Sequence, residues 1–223
     1  MEFTTLLKNS FKENANNQNA LKMQAYMRNK FIFYGIQSNP RRDLLKSTIT
    51  LYKGDLSKNI SDISWNLFTA PQRELHHCGM ELFQKHKKNK YHVEDIQLIE
   101  KFISTNSWWD TVDYISKWIL GNYLQQYPNE IPTVISKFST SKNMWLNRSA
   151  ILFQLGYKEN TNQKLLFSIC LKHNTSKEFF IQKAIGWSLR EYGKYQPNAV
   201  LEFVKNNTFA PLSKKEAIRN IIK

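Results

Sequence analysis

Glycine and proline are scarce along this chain, and their scarcity limits the folds open to it. Only 7 Gly and 6 Pro occur in 223 residues, and no stretch alternates apolar and polar residues long enough to predict a strand. Apolar residues recur instead at helical spacing, with short intervals between the helical segments. The predicted helices cover residues 2–14, 17–30, 38–53, 58–69, 71–87, 93–104, 107–121, 129–138, 142–156, 161–172, 176–194, 197–206 and 213–222.

Several predicted helix starts carry residues that favour a first turn. Pro40, Pro128 and Pro197 stand near such starts, where the missing proline N–H costs little. Ser213 and Glu216 have the Ser-x-x-Glu spacing of a capping box, which predicts a start at residue 213.

Helices of roughly 10–18 residues joined by tight turns predict an all-α fold, an α-solenoid of stacked helical hairpins. The sequence has no clean self-similar repeat, so this prediction rests on helix and turn lengths. No Gly-Ser or proline-rich linker divides the chain, and we therefore expect a single domain over residues 1–223.

The charge balance predicts an anionic partner. Lys and Arg number 32 against 18 Asp and Glu, a formal net charge of +14, and the cations are spread along the whole chain. This distribution predicts a broad basic face suited to duplex DNA, RNA or anionic lipid. The membrane interpretation is weak, because the apolar run Phe31–Ile36 is far shorter than the roughly 20 residues of a spanning helix.

Targeting and redox signals point to the cytoplasm. The first residues, MEFTTLLKNSFKEN, lack the cationic start and apolar stretch of a signal peptide. Cys78 and Cys170 lie far apart in sequence, and we expect both to be reduced and buried.

The predicted helix 107–121 places Trp109 and Asp113 one turn apart, on one face. A carboxylate on a surface that binds phosphates repels its ligand. Two interpretations stay open: either Asp113 stabilises positive charge that develops in a substrate, or it is a solvated residue beside a structural tryptophan. The other face, with Trp108, Val112, Ile115 and Ile119, is expected in the core.

The predicted helix 176–194 also has two distinct sides. One side is expected to face the core and carries Ile181, Ala184, Ile185, Ser188, Leu189 and Tyr192. The opposite side carries Lys183, Trp187, Arg190 and Lys194. These cations suit phosphates and Trp187 offers a flat surface to a sugar or base; alternatively, Trp187 is buried against the next hairpin.

Two further positions could contact an anion. Arg148 lies among apolar residues, so it either extends from an apolar face or holds a phosphate with two hydrogen bonds. Tyr26 lies on a polar stripe that either touches DNA or is solvated. No phosphate-binding glycine loop or nucleophile elbow occurs, and His76, His77 and Cys78 lack zinc-ligand spacing. We therefore expect no cofactor and no metal.

Together these segments resemble the AlkD-like family of HEAT-repeat DNA glycosylases, bacterial enzymes that excise alkylated purines. The resemblance is most specific in residues 26–42 (YMRNKFIFYGIQSNPRR), 107–113 (SWWDTVD), 145–158 (WLNRSAILFQLGYK), 176–192 (SKEFFIQKAIGWSLREY) and 210–219 (APLSKKEAIR). It implies a right-handed solenoid whose basic concave face holds duplex DNA. It also implies an active enzyme, since Ala20–Phe31 matches the family's DNA-probing N-terminal helix.

The resemblance implies roles for particular residues. Trp109, Asp113 and Trp187 would form the catalytic cleft. It also implies DNA contacts for Arg148, Arg190, Tyr26 and Gln37. The cationic side of the predicted helix 176–194 adds Lys183 and Lys194 as candidate DNA contacts.

The implied function is hydrolysis of the N-glycosidic bond of cationic N3- and N7-alkylated purines in duplex DNA. The released base would be of the 3-methyladenine or 7-methylguanine type, and the resemblance implies that the enzyme acts without a deep base-flipping pocket. We expect a monomer in the bacterial cytoplasm, associated with the nucleoid, without membrane or obligate protein partner. The alternative is a non-catalytic HEAT-like module that binds DNA or an acidic protein.

Overall fold

The computed structural model describes residues 2–221. Within that range the secondary structure is helical, and the only β-type pairing is an isolated bridge between Ile32 and Gln72. The predicted all-α class is therefore confirmed. Contacts group the chain into two compact units, residues 1–90 and 91–223, which we describe one at a time. The single-domain organisation and the basic concave face stay predictions.

The described residues of the first unit form five helices. They are α1 (Phe3–Glu13), α2 (Asn17–Tyr26), α3 (Ser38–Leu51), α4 (Ile60–Phe68) and α5 (Arg73–Lys87). Phe3, Leu7 and Phe11 recur every fourth residue along α1, so all three fall on one face and are buried. They join a core with residues of α3, α4 and α5, in which each large apolar side chain contributes about 1.5–3 kcal/mol.

The segment between α2 and α3 is held by a buried carboxylate. Glu74 of α5 accepts hydrogen bonds from the backbone N–H groups of Tyr34, Gly35 and Ile36, at 3.1, 2.8 and 3.1 Å. Gly35 has a φ of +88°, and a Cβ there would lie 2.0 Å from the Asn16 carbonyl oxygen. Glycine is therefore required at this position.

α2 is shorter than predicted. It ends at Tyr26, and Arg28 and Asn29 follow in left-handed conformation, with φ of 56° and 55°. A left-handed residue cannot continue a right-handed helix, so the predicted helix 17–30 is wrong in its last turn.

The second unit contains nine α-helical segments within the part of the chain described. They are α6 (Asp95–Ser104), α7 (Trp109–Tyr114), α8 (Gly121–Gln126), α9 (Ile131–Ser139), α10 (Met144–Leu152), α11 (Gln163–Lys172), α12 (Phe179–Gly193), α13 (Pro197–Asn206) and α14 (Pro211–Ile218). A π-helical segment, Ile115–Leu120, joins α7 to α8 without a break. Neighbouring helices pack in pairs, such as α9 with α10 and α12 with α14. Stacked helical pairs agree with the predicted solenoid class.

The π-helical segment explains why the predicted helix 107–121 ends too early. A helical period of 3.6 residues does not describe a π turn, and π segments often mark functional sites. The Ser116 hydroxyl donates to the Val112 carbonyl at 2.6 Å and contacts the Ser149 hydroxyl at 2.8 Å. Gly121 does not end the helix; a Cβ there would lie 2.6 Å from the Phe153 carbonyl oxygen.

The predicted capping box at Ser213 is wrong. α14 begins at Pro211, where proline fits the first helical position. Ser213 and Glu216 therefore lie inside the helix. The Ser213 hydroxyl donates to the Gln182 carbonyl at 3.0 Å, and Glu216 forms ion pairs with α12. The predicted end of this helix, residue 222, lies outside the described residues.

Other predictions from periodicity are confirmed. All the residues predicted for the core side of helix 176–194 are buried, as are Trp108, Val112, Ile115 and Ile119. Cys78 and Cys170 are free thiols and fully buried. Within residues 2–221, no helix has the length and apolar character needed to span a membrane.

Candidate active site

Asp113 lies near the end of α7, in a bidentate ion pair. Arg148 Nε donates to Oδ1 at 2.7 Å, and a terminal guanidinium nitrogen donates to Oδ2 at 2.8 Å. The Asp113 side chain is 18% exposed and that of Arg148 only 5%. A pair of parallel charge-assisted hydrogen bonds fixes the plane of the carboxylate as well as its position.

Arg148 connects three helices. It lies on α10, binds Asp113 of α7, and its remaining terminal nitrogen donates to the backbone carbonyl of Phe180 on α12. The guanidinium carbon lies 5.9 Å from the centre of the Phe180 ring. Arg148 thus does not extend to solvent, and three of its five N–H groups are used within the protein; its predicted contact with a phosphate stays a prediction. Its partner was not foreseen because 35 residues separate the two.

The surroundings of Asp113 act on its pKa in opposite directions. Burial raises the pKa above the ordinary aspartate value, and the hydrogen bonds and charge of Arg148 counteract part of that rise. Asp110, one turn earlier, adds to the rise through like charge. The bidentate geometry fits the ionised carboxylate, whose two oxygens act only as acceptors.

The Phe180 ring, which lies near the Arg148 guanidinium, belongs to a cluster of three aromatic residues. Trp108, Trp145 and Phe180 contact one another, with ring centres 5.0–5.7 Å apart. Rings at these distances form favourable edge-to-face and tilted contacts, which link Phe180 of α12 to Trp145 of α10 and to Trp108.

The two predicted catalytic tryptophans are half-buried. Trp109 begins α7, one turn before Asp113, and Trp187 lies on α12, two turns after Phe180. Because α10 packs against both α7 and α12, the structure holds the helices of Trp109, Asp113, Arg148 and Trp187 together in the second unit. Neither tryptophan is fully buried, so each keeps part of its surface open to a ligand.

The two cations of α12 and Lys194, the residue that follows this helix, each have an acidic partner. Glu216 of α14 contacts Lys183 Nζ at 2.9 Å and an Arg190 terminal nitrogen at 2.5 Å, and Lys194 contacts Glu191 at 2.8 Å. The hydrogen bond from Lys183 lowers the pKa of Glu216, and Arg190 lowers it further. The role of Glu216 was missed in the sequence because a capping box explained it locally.

The predicted contacts near the N-terminus belong to the first unit. Tyr26, the last residue of α2, is 71% exposed, and Gln37 is exposed immediately before α3. Ala20 is the only residue of α2 that is buried, so this helix presents most of its surface to solvent.

No group of three or more His, Cys, Asp or Glu within residues 2–221 is arranged to hold a metal ion. His76, considered with Cys78 as a zinc ligand, has structural partners instead. Its ring nitrogens contact the Ala70 carbonyl at 2.6 Å and the Arg73 guanidinium at 3.0 Å.

One solved protein is similar to this chain in sequence and fold, and two others are similar in fold. A predicted DNA alkylation repair enzyme from Enterococcus faecalis is 32% identical, with a TM-score of 0.83 over 94% of this chain and 97% of that one. AlkD2 from Streptococcus mutans is 16% identical with a TM-score of 0.64, covering 90% and 99% of the two chains. The protein smu.31 from Streptococcus mutans UA159 is 14% identical with a TM-score of 0.63, covering 98% and 99%. The last two support the fold alone.

A search of curated proteins gives no significant match. The sequence model of the family described as DNA alkylation repair enzyme matches residues 7–221, nearly the whole chain. The AlkD-like resemblance is thereby confirmed, and the chain belongs to the DNA alkylation repair enzyme family.

Proposed function

We propose that this protein is a monofunctional DNA glycosylase that hydrolyses the N-glycosidic bond of cationic N3- and N7-alkylated purines in duplex DNA. The observation that carries the proposal is the partly buried carboxylate of Asp113, fixed by an arginine that also lies over the Phe180 ring, in a chain of net charge +14. Arg148 offsets the charge of this anion and fixes its position, and we infer that the anion is kept near the DNA in order to stabilise a sugar cation.

The proposed chemistry needs only one carboxylate. Alkylation at N3 or N7 gives the purine a positive charge, so the base leaves without protonation by a general acid. The C1′–N bond breaks with its electrons moving to the base, and an oxocarbenium-like sugar cation remains. A carboxylate about 4 Å from that cation contributes up to ~4 kcal/mol at an effective dielectric constant near 20. Water then adds to C1′ and loses a proton, which leaves an abasic site.

Arg148 supports this chemistry as a positioning residue. Its Nε and both terminal nitrogens already donate to Asp113 and Phe180. A preorganised carboxylate needs no reorientation when charge develops, which is the main source of electrostatic catalysis. Each carboxylate oxygen also retains acceptor capacity beyond its bond to Arg148, toward the sugar or a water molecule.

The tryptophans and the surface polar residues complete the proposal. Trp109 and Trp187 would face the sugar cation, each contributing on the order of 1–2 kcal/mol when desolvated. Lys183, Arg190 and Lys194 would contact phosphates, with Tyr26 and Gln37 contacting DNA from the first unit. The half-buried state of both tryptophans and the exposure of Tyr26 and Gln37 support these roles.

The test is base release from defined duplexes. We expect the wild-type protein to release 7-methylguanine and 3-methyladenine and to leave an abasic site that alkali cleaves. It should not release uracil or hypoxanthine, which are neutral and need an acid to leave. Binding of methylated duplex without release of either base would contradict the proposal.

One observation favours the non-catalytic alternative. Both oxygens of Asp113 already accept hydrogen bonds from Arg148, which is also what a purely structural ion pair would show. A DNA-binding module of this kind would bind methylated and unmethylated duplex equally and release no base. The same assay therefore separates the two functions.

A further inference from the structure

Glu216 lies between two cations of α12. Lys183 and Arg190 are two turns apart on one face, with Trp187 between them in sequence. One Glu216 oxygen accepts from Lys183 at 2.9 Å and the other from Arg190 at 2.5 Å. A single carboxylate thus partly neutralises both cations on the side of α12 that carries Trp187.

The backbone of two helices fixes Glu216 in this position. α14 approaches α12 closely at Gly186, where a Cβ would lie 2.4 Å from the Glu216 Cβ and 2.9 Å from the Ser213 carbonyl oxygen. The Ser213 hydroxyl donates to the Gln182 carbonyl at 3.0 Å and sets the register of the two helices. The backbone that carries Glu216 is therefore fixed next to the cations, and the Glu216 side chain loses little conformational entropy when it contacts them.

Of the three side chains, that of Lys183 is the most exposed to a ligand. Lys183 is 37% exposed, Arg190 18% and Glu216 14%. The Lys194–Glu191 pair differs, since its side chains are 49% and 28% exposed and its residues are three apart in sequence at the end of α12. Exposed ion pairs of that kind contribute little to the free energy of folding.

We propose that Glu216 is a positioning residue that holds Lys183 and Arg190 on either side of Trp187 and reduces the positive charge that α12 presents to DNA. The inference rests on the proposed function in taking duplex DNA as the ligand. The three groups together carry one positive charge rather than two, so they release about one fewer counterion on binding. Undamaged duplex, most of what a repair protein meets, is consequently bound less tightly.

The charge role and a purely structural role predict opposite signs. If Glu216 only anchors α14 to α12, its loss loosens the cations and weakens DNA binding. If Glu216 lowers the charge, its neutralisation frees one cation for a phosphate and tightens binding. Glu216→Gln keeps the shape and an acceptor oxygen while removing the charge.

The experiment measures binding of the full-length protein to unmodified duplex by fluorescence anisotropy between 50 and 200 mM salt. For Glu216→Gln we expect the dependence of log K on log salt to steepen by about one unit, and binding at 0.1 M salt to tighten roughly five- to tenfold. Glu100→Gln is the matched control, because it makes the same charge change at a surface pair with Lys137. It should change binding less than twofold.

Weaker binding by Glu216→Gln, or a change equal to that of the control, would overturn the inference. If that variant does not fold, Lys183→Met, Arg190→Met and the double variant give an independent answer. Each single change should flatten the salt dependence by about one unit, because Glu216 then neutralises the remaining cation. The double variant should flatten it no further, and a further loss of one unit would refute the shared neutralisation.

These outcomes are separable from the proposed function. Tighter binding by Glu216→Gln in a protein that releases no base would uphold the inference and refute the glycosylase. Base release by the wild type with no change in binding by Glu216→Gln would uphold the glycosylase and refute the inference.

Discussion

Replacement of Arg148 by methionine tests how the Asp113 carboxylate is kept ionised. The change removes the two hydrogen bonds to Asp113 and the one to Phe180, and it leaves a carboxylate that is 18% exposed without its counter-charge. Loss of one partner of a buried ion pair costs about 3–5 kcal/mol. Burial, no longer opposed by the charge and hydrogen bonds of Arg148, should raise the pKa of Asp113 further.

The assay is the pH dependence of base release under single-turnover conditions, with spontaneous release subtracted. A protonated Asp113 carries no charge to stabilise the sugar cation, so the rate falls as pH drops through its pKa. A higher pKa in Arg148→Met therefore moves the acid limb of the profile to higher pH. At a pH below the Asp113 pKa of both proteins, Arg148→Met should therefore release base more slowly than wild type, because a smaller fraction of its Asp113 is ionised.

Two comparisons make this result specific. Arg219→Met removes an exposed guanidinium and should leave the acid limb in place. Arg148→Lys keeps a charge but not the bidentate geometry. The pKa of Asp113 should therefore lie closer to its wild-type value than in Arg148→Met, while the rate of base release recovers less. An acid limb that stays at its wild-type pH in Arg148→Met would refute the reasoning. The reasoning would also be refuted if the salt dependence of DNA binding became flatter by a full unit in Arg148→Met while the acid limb stayed unchanged, since that result would indicate a phosphate contact.

Three other substitutions or measurements test the scaffold. Gly186→Ala should lower the free energy of unfolding by about 1–3 kcal/mol in urea denaturation, because its Cβ would lie 2.4 Å from that of Glu216; unchanged stability would contradict this packing. Glu74→Gln should cost about 2 kcal/mol or more, since one carboxylate accepts three backbone N–H groups; a neutral effect would contradict its role. Burial raises the pKa of Cys78 and of Cys170 to about 12, so neither should react with a thiol reagent at pH 8 until the protein unfolds; rapid reaction of the folded protein would contradict this.

Local periodicity predicted the helices and their buried faces well. The core side of α12 follows from the spacing of its apolar residues, because one helix face is buried against neighbouring helices. Helix ends were less accurate where backbone conformation departs from the α-helix. Arg28 and Asn29 adopt left-handed conformation, and the π turn at Ile115–Leu120 shifts the period, with neither visible as a pattern of apolar residues.

The partners of the charged residues could not be predicted from the same patterns. Asp113 and Arg148 are 35 residues apart in sequence, and Glu216 is 33 and 26 residues from Lys183 and Arg190. Such pairs depend on how helices pack, which periodicity within one helix does not specify. The sequence therefore indicated the residues at the candidate site and left open which of them neutralise one another.

The role of Asp113 as the anion that stabilises the sugar cation is tested most directly by Asp113→Asn. The measurement is single-turnover release of 7-methylguanine from duplex DNA, with the affinity for the same duplex determined in parallel. We predict a rate at least about 10²-fold below wild type, the size typical of losing one electrostatic stabiliser. Affinity should stay equal or increase, because an anion near phosphates has been removed. Release by Asp113→Asn at the wild-type rate would contradict the account.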